Sequence, residues 1–447
     1  MEYGNLSNLS AYRRLGGPYD GVLSVCSANP WVVDAVLSFA ADHETPILIE
    51  ATASQVNPDG GYTGMAPEDF VRLVRNRAAA LNPVRPPMIG SDHMGAYPWR
   101  HLRPDDAMDK AGGLVAAGVR AGMVKLHLDA SFRCLGDPAR PDGLLPADLA
   151  ARRCASLARQ AEAAWRRFRP GPRPLYVIGS DVPPPGGAVA EGSAPRITPA
   201  EELEATIALT RESFAEEGIQ DAWERVIAVV VQPGVEFSNL SVVDYVSDRA
   251  AELTRFLKAY PALVFEAHST DFQRPEALRR MVADGYSILK AGPWMTFAFR
   301  ETVFALGDME NELARIRKGI TASNIREVLD REMVNHPEHW KRYYAGDDAE
   351  QAFLRRYALS DRCRYYWNRP EVDAALTRLL GNLRRYPPPW PLVDQYLPRQ
   401  AEALRSGIVE NTPDALIRSR IQEVIRIYDR ACRLDCGSRT DARRPSS

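Results

Sequence analysis

The amino-acid sequence predicts an α/β protein, a (β/α)8 TIM barrel followed by a C-terminal helical extension. Three observations lead to this fold class. Eight short runs rich in apolar and β-branched residues occur within about the first 310 of the 447 residues. Segments with helical periodicity separate these runs, and near-continuous apolar strands that alternate with helices are typical of a parallel sheet covered on both faces. Beyond residue 315 the strand-like runs stop and only helical patterns remain.

The eight predicted strands are short and similar in length. They cover residues 21–28, 46–52, 86–93, 123–130, 174–181, 226–233, 262–269 and 287–293. Eight strand–helix units in this length of chain fit a closed barrel better than an open doubly wound sheet.

The intervening segments carry recognisable helix signals. The segment 30–43 follows Asn29 and Pro30, a suitable N-cap and first-turn pair. The segment 147–168 repeats its apolar residues every three or four positions, and 295–313 is the last helical pattern of the barrel. We therefore assign residues 1–315 to the barrel.

The extension is predicted to cover residues 316–436, followed by a small, polar and mobile tail at 437–447. Its predicted helices cover 321–333, 347–366, 371–385 and 413–433, interrupted by the proline-rich stretch 387–391. We expect the extension to cover barrel helices or to support oligomerisation, and a homo-oligomer if the chain acts alone. A direct catalytic role is the alternative.

Composition excludes several classes of partner. The chain has 56 basic and 58 acidic residues, and this formal charge of −2 does not favour nucleic acid or an anionic membrane. Six cysteines without a C-x-x-C pair favour reduced thiols. No apolar run approaches the ~20 residues of a membrane span, and the N-terminus lacks a signal-peptide pattern, so we expect a cytoplasmic protein.

Nucleotide-binding signatures are absent from the sequence. The glycine-containing stretch 57–64 does not match G-x-G-x-x-G, and no G-x-x-x-x-G-K-[ST] occurs. This disfavours kinases and nicotinamide dehydrogenases, and the stretch is better interpreted as a loop over the barrel mouth. The pair His336 and His339 has a spacing that can ligate metal, but without a suitable third ligand nearby we expect surface or packing residues.

Ionisable residues interrupt the predicted strands near their carboxyl ends, where barrel enzymes place their chemistry. Any one of them can be a structural polar group, but together they predict a functional rim. Because side chains alternate along a strand, His127 with Asp129 and Glu266 with His268 can each project a pair into the barrel mouth. The polar residues of the rim are Glu50, Thr52, Asp92, His93, His127, Asp129, Asp181, Gln232, Glu266, His268 and Lys290.

Several motifs occur in one order along the chain. They include KLHLDAS (125–131), YVIGSDVPPPGG (176–187), VVVQPGVEF (229–237), FEAHSTD (265–271) and ILKAGP (288–293). With these motifs the chain resembles the non-catalytic subunit family of tagatose-bisphosphate aldolase, the GatZ/KbaZ type, from about residue 15 to about residue 433. The resemblance implies a barrel related to class II aldolases, and that family includes accessory subunits as well as C4-epimerases of ketohexoses or their 6-phosphates.

The resemblance also implies site residues. Asp92 and His93 are similar to an aldolase pair in which the aspartate is the acid/base and the histidine a zinc ligand, and His268 resembles a second ligand. Gln232 stands where an aldolase has its third ligand histidine. We therefore expect a divalent metal, zinc, manganese or cobalt, on ligands chosen from His93, His268, Gln232 and Asp181.

The remaining predicted roles concern catalysis and substrate. Asp92 and Asp129 are the expected acid/base pair, with Glu50 third and His127 as a further catalytic candidate. Phosphate or sugar hydroxyls are expected to contact a set of five residues. These are Gln55, Ser269, Thr270, Asp271 and Lys290.

Two functions remain open from the sequence. The first is metal-dependent C4 epimerisation of a ketohexose or ketohexose 6-phosphate through cleavage and re-formation of the C3–C4 bond. The second is a non-catalytic partner that stabilises and activates a class II tagatose-1,6-bisphosphate aldolase. A retained ionisable rim favours the first, because a purely structural subunit does not need one.

Overall fold

The computed structural model describes residues 20–140, 144–179 and 195–433. It confirms the predicted fold class: eight parallel strands close into a barrel, and each pairs with its neighbours in sequence order until the eighth pairs with the first. The strands are β1 (Val22–Cys26), β2 (Ile47–Thr52), β3 (Met88–Met94), β4 (Lys125–Leu128), β5 (Leu175–Ile178), β6 (Val226–Val230), β7 (Val264–Ala267) and β8 (Ile288–Ala291). Each lies within or within one residue of its predicted range.

A helix follows every strand and packs on the outside of the barrel. These are α1 (Pro30–Asp42), α2 (Pro67–Leu81), α3 (Pro104–Ala121), α4 (Ala147–Phe168), α5 (Ala200–Glu216), α6 (Ala251–Leu257), α7 (Pro275–Ala283) and α8 (Pro293–Ile316). Asn29 caps α1 through its side-chain oxygen, which accepts from the backbone N–H groups of Trp31 and Val32. A two-residue antiparallel ribbon, Glu236–Phe237 with Val242–Val243, lies between β6 and α6.

The barrel interior changes from apolar to charged along the strands. Its lower part is a cluster of apolar side chains that includes Val22, Leu48, Met88, Val177, Val264 and Ile288. Two residues further along the strands the same inward face carries Ser24, Glu50, Glu266 and Lys290, because side chains of one face recur every second residue. Gly90 makes room for them, since a Cβ at this position would lie 2.8 Å from Glu50 Oε1.

Up to residue 433, where the described part of the chain ends, the extension contains six α-helices. They are α9 (Ile325–Asn335), α10 (Asp348–Tyr357), α11 (Pro370–Arg385), α12 (Trp390–Tyr396), α13 (Pro398–Arg405) and α14 (Pro413–Cys432). The single helix predicted over 347–366 is wrong, because α10 ends at Tyr357 and Asp361 takes a left-handed backbone conformation with φ 46°. The proline-rich stretch contains the start of α12, with Pro391 in its first turn, where proline is tolerated.

Helix α14 attaches the extension to the barrel by packing against α1, α7 and α8. Asp429 on α14 accepts a hydrogen bond from Thr45 Oγ1 at 2.5 Å, and the Tyr428 hydroxyl donates to the carbonyl of Thr270 at 2.8 Å. One apolar core therefore runs from the barrel helices into the extension. The domain boundary near residue 315 stays a prediction. Among the described helices, none is both long and apolar enough to cross a membrane.

Candidate active site

A cavity of about 860 Å³ opens at the carboxyl ends of the barrel strands. The barrel contributes Asp92, His93, His268 and Lys290 to its lining, and the extension covers it from the other side. This is the end of the barrel at which enzymes of this architecture place their catalytic groups. Part of the predicted rim therefore lines one concave surface, formed by Thr52, Asp92, His93, His268 and Lys290.

A network of buried charges lies beneath the cavity. Lys125 Nζ lies 2.9 Å from Glu50 Oε1 and 2.6 Å from Glu266 Oε2, and all three side chains are fully buried. Lys290 Nζ lies 2.5 Å from Glu50 Oε2 and 2.9 Å from Asp92 Oδ1. Three carboxylates thus share two ammonium groups, which leaves the network with one negative charge to be balanced by another cation or proton.

Neighbouring charges together outweigh burial in setting the pKa values of Asp92 and Lys290. Burial raises the pKa of Asp92, but His93 and Lys290 outweigh it and hold that pKa well below its ordinary value. Burial lowers the pKa of Lys290, but Asp92, Glu50 and Glu266 outweigh it and hold that pKa well above its ordinary value. Asp92 is therefore an anion and Lys290 a cation at neutral pH.

His127 has its ring orientation fixed from outside the charge network. Its Nε2 lies 3.0 Å from the carbonyl oxygen of Gly179, which can only accept, so Nε2 carries the proton. Its Nδ1 accepts the backbone N–H of His93 at 3.2 Å and also lies 2.9 Å from Asp92 Oδ1. The Asp92 carboxylate can only accept, so a proton or a cation between it and His127 Nδ1 would stabilise this contact.

Four of these residues form a group that can hold a metal ion. Asp92, His127, Glu266 and His268 each offer one ligand atom, and these atoms lie within 4.8 Å of one another. His268 Nε2 lies 3.0 Å from Glu266 Oε1, and burial lowers the pKa of His268 to about 4, so its ring is neutral as a metal ligand requires. Two carboxylates and two imidazoles are a suitable donor set for a divalent transition metal.

His93 belongs to a second arrangement at the cavity floor. His93 Nδ1 lies 2.7 Å from Asp129 Oδ2, and His93 Nε2 lies 3.6 Å from Asp92 Oδ2. His93 also lines the cavity. Burial raises the pKa of Asp129, but the hydrogen bond from His93 outweighs it and lowers that pKa to about 2. His93 is held with a left-handed φ of 46°, an uncommon conformation for a residue with a side chain.

Gln232, a predicted metal ligand, has its side chain held by a turn of the backbone. Gln232 points its Oε1 at the turn after β6, where it accepts from the backbone N–H groups of Gly234 at 2.8 Å and Val235 at 3.0 Å. This carbonyl oxygen is thus engaged by its own loop. Asp181 falls outside the described residues.

Some of the predicted substrate-binding residues line the cavity, and others do not. Ser269 and Gln55 line the cavity, although Gln55 Oε1 accepts from the backbone N–H of Thr52 at 2.9 Å. Thr270 is fully buried, and its hydroxyl donates to the carbonyl of Lys290 at 2.6 Å, so it does not face a substrate. Asp271 accepts from the backbone N–H groups of Gly292 and Trp294 at 3.0 and 2.8 Å and caps α8.

Sequence reasoning missed part of the site. Glu266 was recognised as a rim residue without a role, and Lys125 was not recognised, although it is one of only six lysines in the chain. The extension residues Arg342, Arg364 and Tyr365 also line the cavity. Two features of the sequence could have identified Lys125: lysine is scarce in this chain, and residue 125 falls on the inward-facing side of β4. No local sequence pattern identifies the extension residues.

Known proteins resemble this chain at two levels. A crystal structure of a probable tagatose 6 phosphate kinase from Sinorhizobium meliloti 1021 is 39% identical, with a TM-score of 0.83 over 92% of this chain and 100% of that chain. Fructuronate-tagaturonate epimerase UxaE from Cohnella laeviribosi is 10% identical, with a TM-score of 0.48 over 92% of this chain and 82% of that one. The YdjI aldolase from Escherichia coli K12 is 11% identical, with a TM-score of 0.40 over 86% and 97%. The last two are too distant to transfer a function.

The family comparison covers nearly the whole chain. The profile described as D-tagatose-1,6-bisphosphate aldolase subunit GatZ/KbaZ-like matches residues 6–433, from ahead of β1 to the end of α14. This confirms the resemblance drawn from the motifs, and the chain belongs to the GatZ/KbaZ-like family.

Proposed function

We propose that this chain is a metal-dependent C4 epimerase of a ketohexose or ketohexose 6-phosphate, of the D-tagatose 6-phosphate to D-fructose 6-phosphate type. The sugar class is suggested by the GatZ/KbaZ-like family and by the 39% identical protein described as a probable tagatose 6 phosphate kinase. Phosphoryl transfer is not favoured, because the sequence lacks both nucleotide-binding glycine motifs.

One observation carries this proposal. A donor group suited to a divalent metal and an Asp–His pair suited to proton transfer lie together at the floor of one cavity. Burying several ionised groups costs several kcal/mol unless they are fully compensated, and apolar residues would stabilise a barrel core at least as well. A scaffold without chemistry would not need this arrangement.

The geometry supports a division of roles that differs from the one expected from the sequence. We assign Asp92, His127, Glu266 and His268 to the metal, which would be zinc, manganese or cobalt. His93 becomes the acid/base, with Asp129 fixing its tautomer through Nδ1 and leaving Nε2 toward the cavity. Asp92 and His93 thus exchange the roles that the family resemblance implied.

Inversion at C4 cannot proceed by simple proton abstraction, because C4 is not adjacent to the ketone carbonyl. His93 Nε2 instead takes the proton of the C4 hydroxyl, the C3–C4 bond breaks, and its electron pair stays with the three-carbon fragment as an enediolate. The other fragment leaves as an aldehyde. After the aldehyde rotates, the enediolate carbon attacks its opposite face, the C3–C4 bond re-forms, and His93 returns the proton to the new C4 hydroxyl.

Groups near His93 would stabilise the negatively charged enediolate. A bound divalent ion would supply Lewis-acid stabilisation of the developing negative charge. Lys290, a cation whose side chain borders the cavity, adds a fixed positive charge at the floor. The cover provided by the extension holds both fragments in the cavity long enough for re-addition.

A second function is favoured by the family description, which names an aldolase subunit. In that case the chain would stabilise a class II tagatose-1,6-bisphosphate aldolase, and the buried network would be a remnant. The two functions differ in what the isolated chain does.

The test is incubation of the purified full-length chain, loaded in turn with zinc, manganese or cobalt, with D-tagatose 6-phosphate and with D-tagatose. We expect conversion to the corresponding fructose form without accumulation of trioses, and loss of conversion on chelation. A chain that converts neither sugar but raises the activity of a separately expressed class II aldolase would favour the accessory function.

A further inference from the structure

Part of the helical extension forms one side of the active-site cavity. Two segments, 338–343 and 362–368, contribute to this surface, which we call the extension wall. Asn368 Nδ2 donates to the carbonyl of Tyr62 at 2.8 Å, and the rings of Tyr62 and Tyr365 pack edge to face at 4.4 Å. The wall is thus fixed against the loop between β2 and α2, over the barrel mouth.

The extension wall is rich in arginine. Arg342, Arg362 and Arg364 line the cavity from the extension, and Arg100 lines it from the loop after β3. Arg364 Nη2 donates to the Tyr365 hydroxyl at 3.0 Å and Nη1 to the carbonyl of Asp361 at 3.1 Å. These contacts orient the guanidinium. Burial raises the pKa of Tyr365, but the charges of Arg364 and Arg362 outweigh it and hold that pKa below its ordinary value.

The acidic residue nearest to Arg364 in sequence, Asp361, already pairs with another arginine. Asp361 Oδ1 lies 2.7 Å from Arg300 Nε in a buried ion pair. Within residues 20–140, 144–179 and 195–433, Arg364 forms no ion pair with a carboxylate. Its charge acts on the barrel rim, because burial raises the pKa of Asp271 to about 6 while Arg364 acts to lower it.

The turn after β7 is not available for a phosphate. The N-terminus of α8 would be a natural anion site, but Asp271 already accepts its Gly292 and Trp294 amide N–H groups. A phosphate placed there would meet this carboxyl group. Thr270, in the same turn, is fully buried. An anionic end of the substrate must therefore find its cations on another side of the cavity.

We propose that the extension wall binds the phosphate of a sugar phosphate, with Arg364 as the principal ligand and Arg362 and Arg342 beside it. A planar guanidinium suits the bidentate geometry of phosphate oxygens. The sugar identity rests on the proposed function, whereas the anion site does not. The extension would then determine the preference for phosphorylated over free ketohexose and would be more than a cover for barrel helices.

Carboxylates also line the cavity, and their positions are compatible with this assignment. Asp92 and Asp271 belong to the barrel rim, where they contact Lys290 and the start of α8. Glu338 is exposed, with 56% of its side chain accessible, and Asp373 is exposed at the mouth. The anion would lie between these two sets, next to Arg364.

The experiment compares three probes, D-tagatose 6-phosphate, D-tagatose and inorganic phosphate, by calorimetric titration of the full-length chain. The variant is Arg364→Gln, with Arg364→Lys as a charge-retaining variant and Arg385→Gln as a matched control. Arg385 is an exposed arginine on α11 outside the cavity. Epimerisation is measured separately on the same preparations.

We expect the unaltered chain to bind the phosphate ester more tightly than the free sugar, and Arg364→Gln to reduce that preference at least tenfold. Arg364→Lys should recover part of the preference, and Arg385→Gln should leave it unchanged. A chain with no preference for the ester, or a preference that Arg364→Gln preserves, overturns the assignment. Phosphate-dependent binding without turnover would refute the proposed epimerisation and leave the anion site standing.

Discussion

His93 Nδ1 lies 2.7 Å from Asp129 Oδ2, and His93 lines the cavity. Asp129 also accepts from the Ser131 hydroxyl at 2.7 Å, so its carboxylate is held in place from the loop after β4. An imidazole oriented by a buried carboxylate has one nitrogen fixed and the other available for proton transfer. This relation supports the acid/base role that we propose for His93.

Replacing His93 by alanine should abolish turnover and leave the metal bound. The ligand atoms assigned to the metal belong to Asp92, His127, Glu266 and His268, so His93 is not needed for binding. Metal content is measured by mass spectrometry after gel filtration, alongside epimerase activity. Loss of the metal from His93→Ala would restore the ligand role that the sequence suggested.

Replacing Asp129 by asparagine tests what the carboxylate contributes to the His93–Asp129 pair. Asparagine keeps the shape but cannot serve as an anionic partner for the protonated ring, so we expect kcat to fall by at least about 100-fold. The apparent KM should change much less, since Asp129 does not line the cavity. An unchanged kcat would show that Asp129 only supports the local structure.

Replacing His268 by alanine should remove the metal together with the activity. His268 borders the cavity and is one of four donors, so its loss leaves three ligands without disturbing the apolar core below. Circular dichroism serves as the control for folding. Full metal occupancy in His268→Ala would contradict the assigned site.

Gln232→Ala separates the two ligand assignments. The Gln232 side chain accepts two backbone N–H groups of its own loop, and removing a buried acceptor costs about 1–3 kcal/mol. We expect a lower free energy of unfolding in urea and unchanged metal content. The opposite result, an intact stability with loss of metal, would make Gln232 a ligand.

Lys125→Met should be strongly destabilising. Lys125 is fully buried between Glu50 and Glu266, and its removal leaves carboxylates without a partner, at a cost of about 3–5 kcal/mol. Lys110→Met is the matched control, because Lys110 pairs with Asp59 at the surface and such pairs contribute about 0–1 kcal/mol. Equal urea midpoints for both variants would argue against the charge network described for the barrel interior.

The barrel could be predicted from the sequence because its signals are local. Each strand is a short apolar run, and the inward phase of β7 already placed Glu266 and His268 on one face. The position of Gln232 could not be predicted this way. If side chains continued to alternate as they do along β6, Gln232 would point into the barrel. The strand instead ends at Val230, and the turn at Gly234, with φ 89°, offers backbone N–H groups that donate to the Gln232 side-chain oxygen.

The charge network and the extension wall depend on contacts between distant parts of the chain. Lys290 and Glu50 are separated by 240 residues and meet only when the barrel closes. Arg364 lies in the short 3₁₀ turn Arg362–Tyr365 beyond the end of α10, and no sequence periodicity there shows which arginine reaches the cavity. Family resemblance supplied the ligand positions of a related site, and the present residues support a different distribution of roles.

The most direct test of the central claim uses ketohexose 6-phosphate deuterated at C4, incubated with the metal-loaded chain alone and followed by NMR. Cleavage of C3–C4 leaves the C4–H bond intact, so we expect the C4 epimer to form with full retention of deuterium and without a primary isotope effect. Loss of the label, a primary isotope effect of several fold, or no epimer at all would contradict retro-aldol epimerisation by this chain.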